Sequence, residues 1–116
     1  MSRGKSEEFK LQSKCVIWLW NEHPETRKHF ILVDNNSDNT VQALQKRAMG
    51  QVKGVADTFF FWKKNLWFIE FKTPTGKQSD SQILFESIAN EHSNGYLIIR
   101  TFEQFKEFIN KVLGSI

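Results

Sequence analysis

Apolar residues recur along the chain with two periods, one helical and one strand-like, and together these periods predict eight elements. The predicted helices are 6–20, 40–50, 79–92 and 102–113, and the predicted strands are 29–36, 58–62, 66–72 and 95–101. A tight turn, Lys63-Lys64-Asn65, joins two of these strands into a hairpin. This order of elements predicts an α/β fold with a mixed central sheet flanked by helices.

Strand 66–72 is apolar on both faces until its last positions, which is typical of a central strand covered from both sides. It ends in Glu70 and Lys72, whose side chains point to the same face because side chains alternate along a strand. Asp57 precedes the neighbouring strand 58–62, and the hairpin brings it beside Glu70. The sequence therefore predicts two carboxylates and an amine at one end of the sheet.

This set of side chains suits a hard cation near a phosphate. Magnesium prefers oxygen ligands and keeps several waters, so one or two carboxylates suffice. A neighbouring lysine can orient an attacking water or stabilise charge that develops at phosphorus. Two simpler interpretations remain: Glu70 and Lys72 form a surface ion pair, and Asp57 is a turn residue.

Helix 6–20 offers a third acid. Its apolar residues at helical spacing are Phe9, Cys15, Val16 and Leu19. Glu8 and Gln12 are four residues apart on the face that continues to Cys15, which places Glu8 toward the core. The alternative is that Ser6 caps this helix and Glu8 interacts with the helix N-terminus.

The segment Ser79-Asp80-Ser81-Gln82 is a capping box, in which Ser79 is the N-cap and Gln82 bonds back to its amide. The same helix start faces the predicted crevice, so Gln82 is also a candidate to line the site. Both interpretations are compatible with the sequence.

Composition limits the class of protein. The chain has 116 residues, 40% of them hydrophobic, which fits one domain with a substantial core. Its only cysteine excludes an intrachain disulfide, and its three histidines show no metal-ligand spacing. The sequence shows no signal peptide, no membrane-spanning run and no glycine-rich phosphate loop, so we expect a cytoplasmic protein without a membrane or nucleotide cofactor.

The stretch Gly54-Val55-Ala56-Asp57, followed by Ile69-Glu70-Phe71-Lys72 and the run to Gln82, resembles the signature of VRR-NUC domains, the virus-type replication-repair nucleases of the PD-(D/E)XK superfamily. Glu8 with Gln12 is similar to the N-terminal helix of that family, and residues 35–36 resemble one of its polar turns. The resemblance covers roughly Glu8 to Phe108. The family usually has proline where this chain has Ala56.

The resemblance implies an αβββαβ core and a phosphodiesterase reaction on DNA that depends on Mg²⁺ or Mn²⁺. It implies that Asp57, Glu70 and the Phe71 carbonyl hold the metal and that Lys72 acts on the water or the transition state. By the same comparison, Glu8 and Gln82 belong to the catalytic site.

We therefore expect residues 1–116 to be a single nuclease domain that acts as a homodimer on branched or duplex DNA, in replication, repair or recombination. The alternative is a DNA-binding module that keeps the fold without the chemistry. Lys46, Lys53 and Lys77 are the candidates for phosphate contacts, and each is equally well explained as a solvated charge. We expect these and the other loop cations, Arg47, Lys63 and Lys64, to surround the site.

Overall fold

The computed structural model describes residues 3–33 and 39–114, which form four α-helices, a short 3₁₀ helix and four strands. The helices are α1 (Arg3–Glu22), α2 (Thr40–Ala48), α3 (Asp80–His92) and α4 (Phe102–Gly114), with a short 3₁₀ helix at Pro24–Thr26. The strands are β1 (Phe30–Leu32), β2 (Thr58–Trp62), β3 (Asn65–Phe71) and β4 (Gly95–Ile99). Within these ranges, none of the helices has both the length and the apolar character needed to cross a bilayer.

The strands form one mixed sheet in the order β1-β2-β3-β4. Strand β2 is antiparallel to β1 and to β3, whereas β4 runs parallel to β3. A parallel pair needs a crossover connection, and α3 supplies it. The apolar strand β3 is thus paired on both edges, as predicted.

Helices cover both faces of this sheet. On one face α1 and α4 enclose the larger core, built from Cys15, Leu19, Phe30, Phe60, Ile69, Phe71, Ile99, Phe105 and Ile109. On the other face α3 packs over a smaller cluster that contains Ala56, Phe68, Phe85, Ala89 and Tyr96. The prediction of a mixed sheet flanked by helices is confirmed.

Helix α1 differs from its prediction at its N-terminal end. It already includes Arg3, so Ser6 lies inside the helix and is not its N-cap. Phe9, one of the four apolar residues at helical spacing, is 62% exposed, whereas Cys15 and Leu19 are fully buried as expected. Burial raises the pKa of the Cys15 thiol to about 12.

The hairpin turn is one residue shorter than predicted. Asn65 pairs with Trp62 and belongs to β3, which leaves Lys63 and Lys64 as a two-residue turn with φ of 48° and 70°. This turn lies at the opposite end of β3 from Glu70, about 20 Å away at the usual rise per residue. The expectation that Lys63 and Lys64 surround the site is therefore wrong.

The ends of β1 and β4 also differ from their predictions. Strand β1 ends at Leu32, and the predicted continuation to 36, with the polar turn at 35–36, falls in residues 34–38, outside the described residues. Strand β4 ends at Ile99 because Gln104 Oε1 accepts hydrogen bonds from the backbone of Arg100 (2.7 Å) and Thr101 (3.1 Å). Thr101 Oγ1 accepts in turn from Gln104 N, so this pair begins α4.

Candidate active site

Asp57 is fixed at the end of β3 by a hydrogen bond to the backbone. It precedes β2 directly, and its Oδ2 accepts from the Phe71 N–H at 3.0 Å. Its carbonyl accepts from Val33 N at 2.8 Å, which ties it to the chain just after β1. Burial raises the pKa of Asp57, and the Phe71 N–H and the charge of Lys72 partly oppose this.

Glu70 is fully buried on the α3 side of the sheet. Its Oε1 accepts a hydrogen bond from the Tyr96 hydroxyl at 2.8 Å, while its Oε2 has no hydrogen-bond partner among the described residues. Burial raises the pKa of Glu70, and the carboxylates of Asp57 and Glu86 raise it further against the effects of Tyr96 and Lys72. A buried carboxylate with one bonded and one unbonded oxygen is an unusual structural group and needs an explanation.

Lys72 is the cation that these acids share. It follows β3 directly, and its N–H donates to Ile99 O at 3.0 Å, which holds it against the end of β4. Its charge lowers the pKa of Glu8, Asp57 and Glu70. The ammonium group therefore lies within electrostatic range of three carboxylates from separate parts of the chain.

Glu8 reaches the site from α1. Burial raises its pKa, Asp57 raises it further, and Lys72 and Lys5 lower it. Because α1 already includes Arg3, Glu8 is not in the first turn, and the alternative that it interacts with the helix N-terminus is wrong. The structure thus brings together Glu8, Asp57, Glu70 and Lys72, as predicted.

Gln82 has both of the roles left open by the sequence. Its Oε1 accepts from Ser79 N at 2.8 Å, and its own N–H donates to Ser79 Oγ at 3.2 Å, which completes the capping box. It also lines the cavity into which Glu8 faces.

This cavity has a volume of about 1210 Å³ and runs from α1 past Asp57 to the start of α3. Of the predicted site residues, Glu8, Asp57, Lys72, Gln82 and Lys53 line it. Glu70 and Phe71 do not line it and are fully buried.

Basic and apolar side chains complete the wall of the cavity. Lys5 and Arg47 line it beside Lys53, whereas Lys46 and Lys77, both predicted to contact phosphate, do not. Exposed apolar residues also contribute to the wall, namely Phe9, Ile17, Trp20, Leu32 and Val52. The cation set at the cavity therefore differs from the predicted one.

Gly54 fixes the loop that delivers Asp57 against α3. Its φ is +87°, and a Cβ at this position would clash with the carbonyl oxygen of Ser81. Only glycine allows this approach, and the approach places Asp57 and Gln82 on one cavity.

Sequence reasoning missed two side chains that hold the site together. Tyr96, read only as part of an apolar strand, donates to Glu70. Arg100 donates from Nη1 to the carbonyl oxygens of Thr73 (2.6 Å) and Gly76 (2.8 Å) and so holds the loop after Lys72. The partners in these contacts are more than twenty residues apart, so no local pattern indicates them. The only signal in the sequence was a polar side chain in β4 or just after it.

The acids are suited to a metal site in which the protein supplies few of the ligands. The described residues contain no group of three or more His, Cys, Asp or Glu side chains arranged to hold a metal ion. Two carboxylates and a backbone carbonyl remain a suitable set for Mg²⁺, which keeps several waters. The unbonded buried Oε2 of Glu70 is an oxygen that such an ion would satisfy.

Comparison of the chain with protein-family models, with curated proteins and with solved structures finds no match in any of the three, so its function has to be inferred from the residues and their geometry.

Proposed function

We propose that this protein is a metal-dependent DNA endonuclease that hydrolyses phosphodiester bonds, either at branched DNA or by nicking a duplex. The observation that carries the proposal is the convergence of Glu8, Asp57 and Glu70 on the charge of Lys72. Burial raises the pKa of all three acids, which means that their charged forms cost folding free energy at this position. Perturbed groups clustered beside a cavity favour a functional site over a surface ion pair.

The fold is consistent with the PD-(D/E)XK type of the VRR-NUC family. With α2 set aside, the observed order is α1-β1-β2-β3-α3-β4, which agrees with the expected αβββαβ core. Asp57 precedes β2, and Glu70 and Lys72 stand at the end of β3. These positions support membership of that family, which stays a proposal.

Asp57, Glu70 and the carbonyl of Phe71 would hold Mg²⁺ or Mn²⁺. Such an ion, when bound, polarises a phosphoryl oxygen and lowers the pKa of a water. Glu70 would contribute its unbonded Oε2, and Asp57 the carboxylate that the Phe71 N–H orients.

The other residues act on the phosphate and the water. Lys72, half-buried at the cavity, would orient the attacking water or offset the negative charge that develops at phosphorus. Arg47 and Lys53 stand on the cavity wall, where they would contact the phosphate backbone and position the strand. Glu8 from α1 and Gln82 from α3 also line the cavity, where they would orient water or phosphate.

The second candidate is a DNA-binding module that has the fold without the chemistry. This alternative does not require a metal site, and the described ranges contain no group of three or more acidic, histidine or cysteine side chains that could hold one. Homodimerisation and a cytoplasmic location stay predictions, and light scattering of the purified protein measures the former.

Cleavage assays separate the two candidates. Supercoiled plasmid and a synthetic four-way junction are incubated with the wild type, Lys72→Ala and Lys64→Ala, each with Mg²⁺, Mn²⁺ or EDTA. We expect metal-dependent cutting that falls at least about 100-fold in Lys72→Ala, because Lys72 stabilises the transition state. Lys64→Ala removes the same charge at the far end of β3 and should cut like the wild type.

Equal cutting by Lys72→Ala and the wild type would contradict the proposed site. Absence of cutting by folded protein that still binds the junction would instead support the binding module.

A further inference from the structure

The buried hydrogen bond between Tyr96 and Glu70 holds only one of the two carboxylate oxygens, and packing alone does not explain this. Tyr96 lies on β4 opposite Phe68 of β3, and its hydroxyl donates to Glu70 Oε1 at 2.8 Å. The two side chains belong to different strands joined only through α3. One carboxylate oxygen is thereby fixed, while the other, Oε2, is left without a partner in the described ranges.

Tyr96 is itself held firmly. Its N–H donates to Asn90 Oδ1 at 3.1 Å, and its ring packs edge-on against Phe85, with centroids 6.2 Å apart. Both of these partners belong to α3, so helix and strand together fix the position of the hydroxyl. The bond to Glu70 therefore sets the orientation of the carboxylate, because Tyr96 has little freedom to follow it.

The chemistry of the donor is informative. A neutral hydroxyl holds a carboxylate without cancelling its charge, whereas a lysine or arginine at this position would neutralise it. Leaving a buried carboxylate oxygen unbonded costs folding free energy. Gln78 lies beside the Tyr96 hydroxyl. Its Nε2 is buried and, like Glu70 Oε2, has no hydrogen-bond partner among the described residues.

We propose that Tyr96 is a positioning residue of the cation site: it holds Oε1 of Glu70 so that Oε2 is presented to the metal. This inference rests on the proposed function, since it requires that Glu70 binds a cation. Removal of such an outer partner lowers metal affinity by about 10- to 100-fold in known sites.

The first test is Mn²⁺ affinity, measured from the free Mn²⁺ signal in electron paramagnetic resonance, for the wild type, Tyr96→Phe and Thr58→Val. Tyr96→Phe should raise the Kd for Mn²⁺ about tenfold with its circular dichroism spectrum unchanged. Thr58→Val is the matched control, because Thr58 also has a buried hydroxyl, bonded to Ile69 O at 2.8 Å, that does not touch Glu70. Its Kd should equal that of the wild type.

The second test needs no change at Tyr96 beyond a label. Tyr96 is the only tyrosine of the chain, so protein grown with 3-fluorotyrosine gives one fluorine resonance. The first equivalent of Mn²⁺ should broaden it, and Glu70→Gln should abolish this broadening. Even where Tyr96→Phe fails to fold, this measurement tests whether Mn²⁺ binds beside Tyr96 and Glu70, as the inference requires.

The outcomes separate the two proposals. Wild-type protein that binds no Mn²⁺ overturns the metal-dependent function and this inference with it. Wild-type binding with the same or a lower Kd in Tyr96→Phe overturns the inference alone, and so does a fluorine resonance that bound Mn²⁺ leaves sharp. A water molecule bonded to Glu70 and Gln78, in place of the metal, would leave the fluorine resonance sharp.

Discussion

At the scale of single residues, the site is built from acids that folding makes less acidic. Burial is the largest cause of the raised pKa of Glu8, Asp57 and Glu70, and one cation, Lys72, opposes it at all three. Glu70 is the extreme case, because it is fully buried and half of its carboxylate is unbonded. Under the proposed function, such an arrangement would sacrifice stability for activity.

This sacrifice can be measured at Glu70. Its pKa in the folded state lies above the ordinary value of 4.5, so the folded protein holds the proton more tightly than the unfolded chain. Its contribution to stability is therefore present below pH 4.5 and is lost as the pH rises through the folded-state pKa. We expect Glu70→Gln to raise the free energy of unfolding at pH 7.5 by about 1 kcal/mol and to flatten its decline above pH 4.5.

Urea denaturation between pH 4.5 and 8 checks this expectation, with and without Mg²⁺. Glu107→Gln, at an exposed position of α4, is the control and should leave the pH dependence unchanged. Mg²⁺ should stabilise the wild type more than Glu70→Gln. A Glu70→Gln protein less stable than the wild type at pH 7.5 would show that the charge of Glu70 supports the fold.

At the scale of elements, local signals were predictable from the sequence and distant contacts were not. The capping box of Ser79 and Gln82 spans four residues, and the two apolar faces of β3 follow from its own composition, so both were predicted correctly. The bond between Tyr96 and Glu70 depends on the register of two strands that α3 separates, which no local pattern encodes. The prediction that Ser6 is an N-cap was wrong because a serine followed by acids resembles a cap even when it lies inside a helix.

The contact between the loop of Gly54 and the first turn of α3 gives a prediction at this scale. Gly54→Ala places a Cβ against the Ser81 carbonyl and strains a φ of +87°, so we expect a loss of about 2–3 kcal/mol in stability. Gly50→Ala is the matched control, since Gly50 has φ +106° but open space around its Cβ position. It should lose only about 1 kcal/mol, from backbone strain.

Chemical denaturation of the two variants measures this difference. Equal losses would mean that the loop moves freely against α3, and Asp57 would then not be held beside Gln82 as described.

At the scale of the whole molecule, the net charge of +3 says less than where the cations lie. Lys5, Arg47 and Lys53 line the cavity, whereas Lys63 and Lys64 form the turn at the far end of β3. Secondary structure alone could not sort these cations, because the positions of the loops depend on how α1 and α3 pack around the end of the sheet. Of the three predicted phosphate contacts, only Lys53 lines this cavity.

DNA binding should show the same asymmetry. We expect Lys53→Ala to weaken binding and to reduce the slope of log K against log salt concentration by about 1, the effect of one lost phosphate contact. Lys64→Ala should leave the slope unchanged. Fluorescence anisotropy with a labelled junction at several salt concentrations measures both, and equal slopes for all three proteins would place DNA away from the cavity.

The fully buried Cys15 leaves the surface of this protein without an accessible thiol among the described residues, since Cys15 is the only cysteine of the chain. A maleimide dye therefore has no competing target in the folded state, and the high pKa of Cys15 slows its reaction further. A cysteine placed at Lys64 would carry one fluorophore at a defined distance from the cavity. Energy transfer from that dye to labelled DNA would then report which way a bound strand leaves the protein.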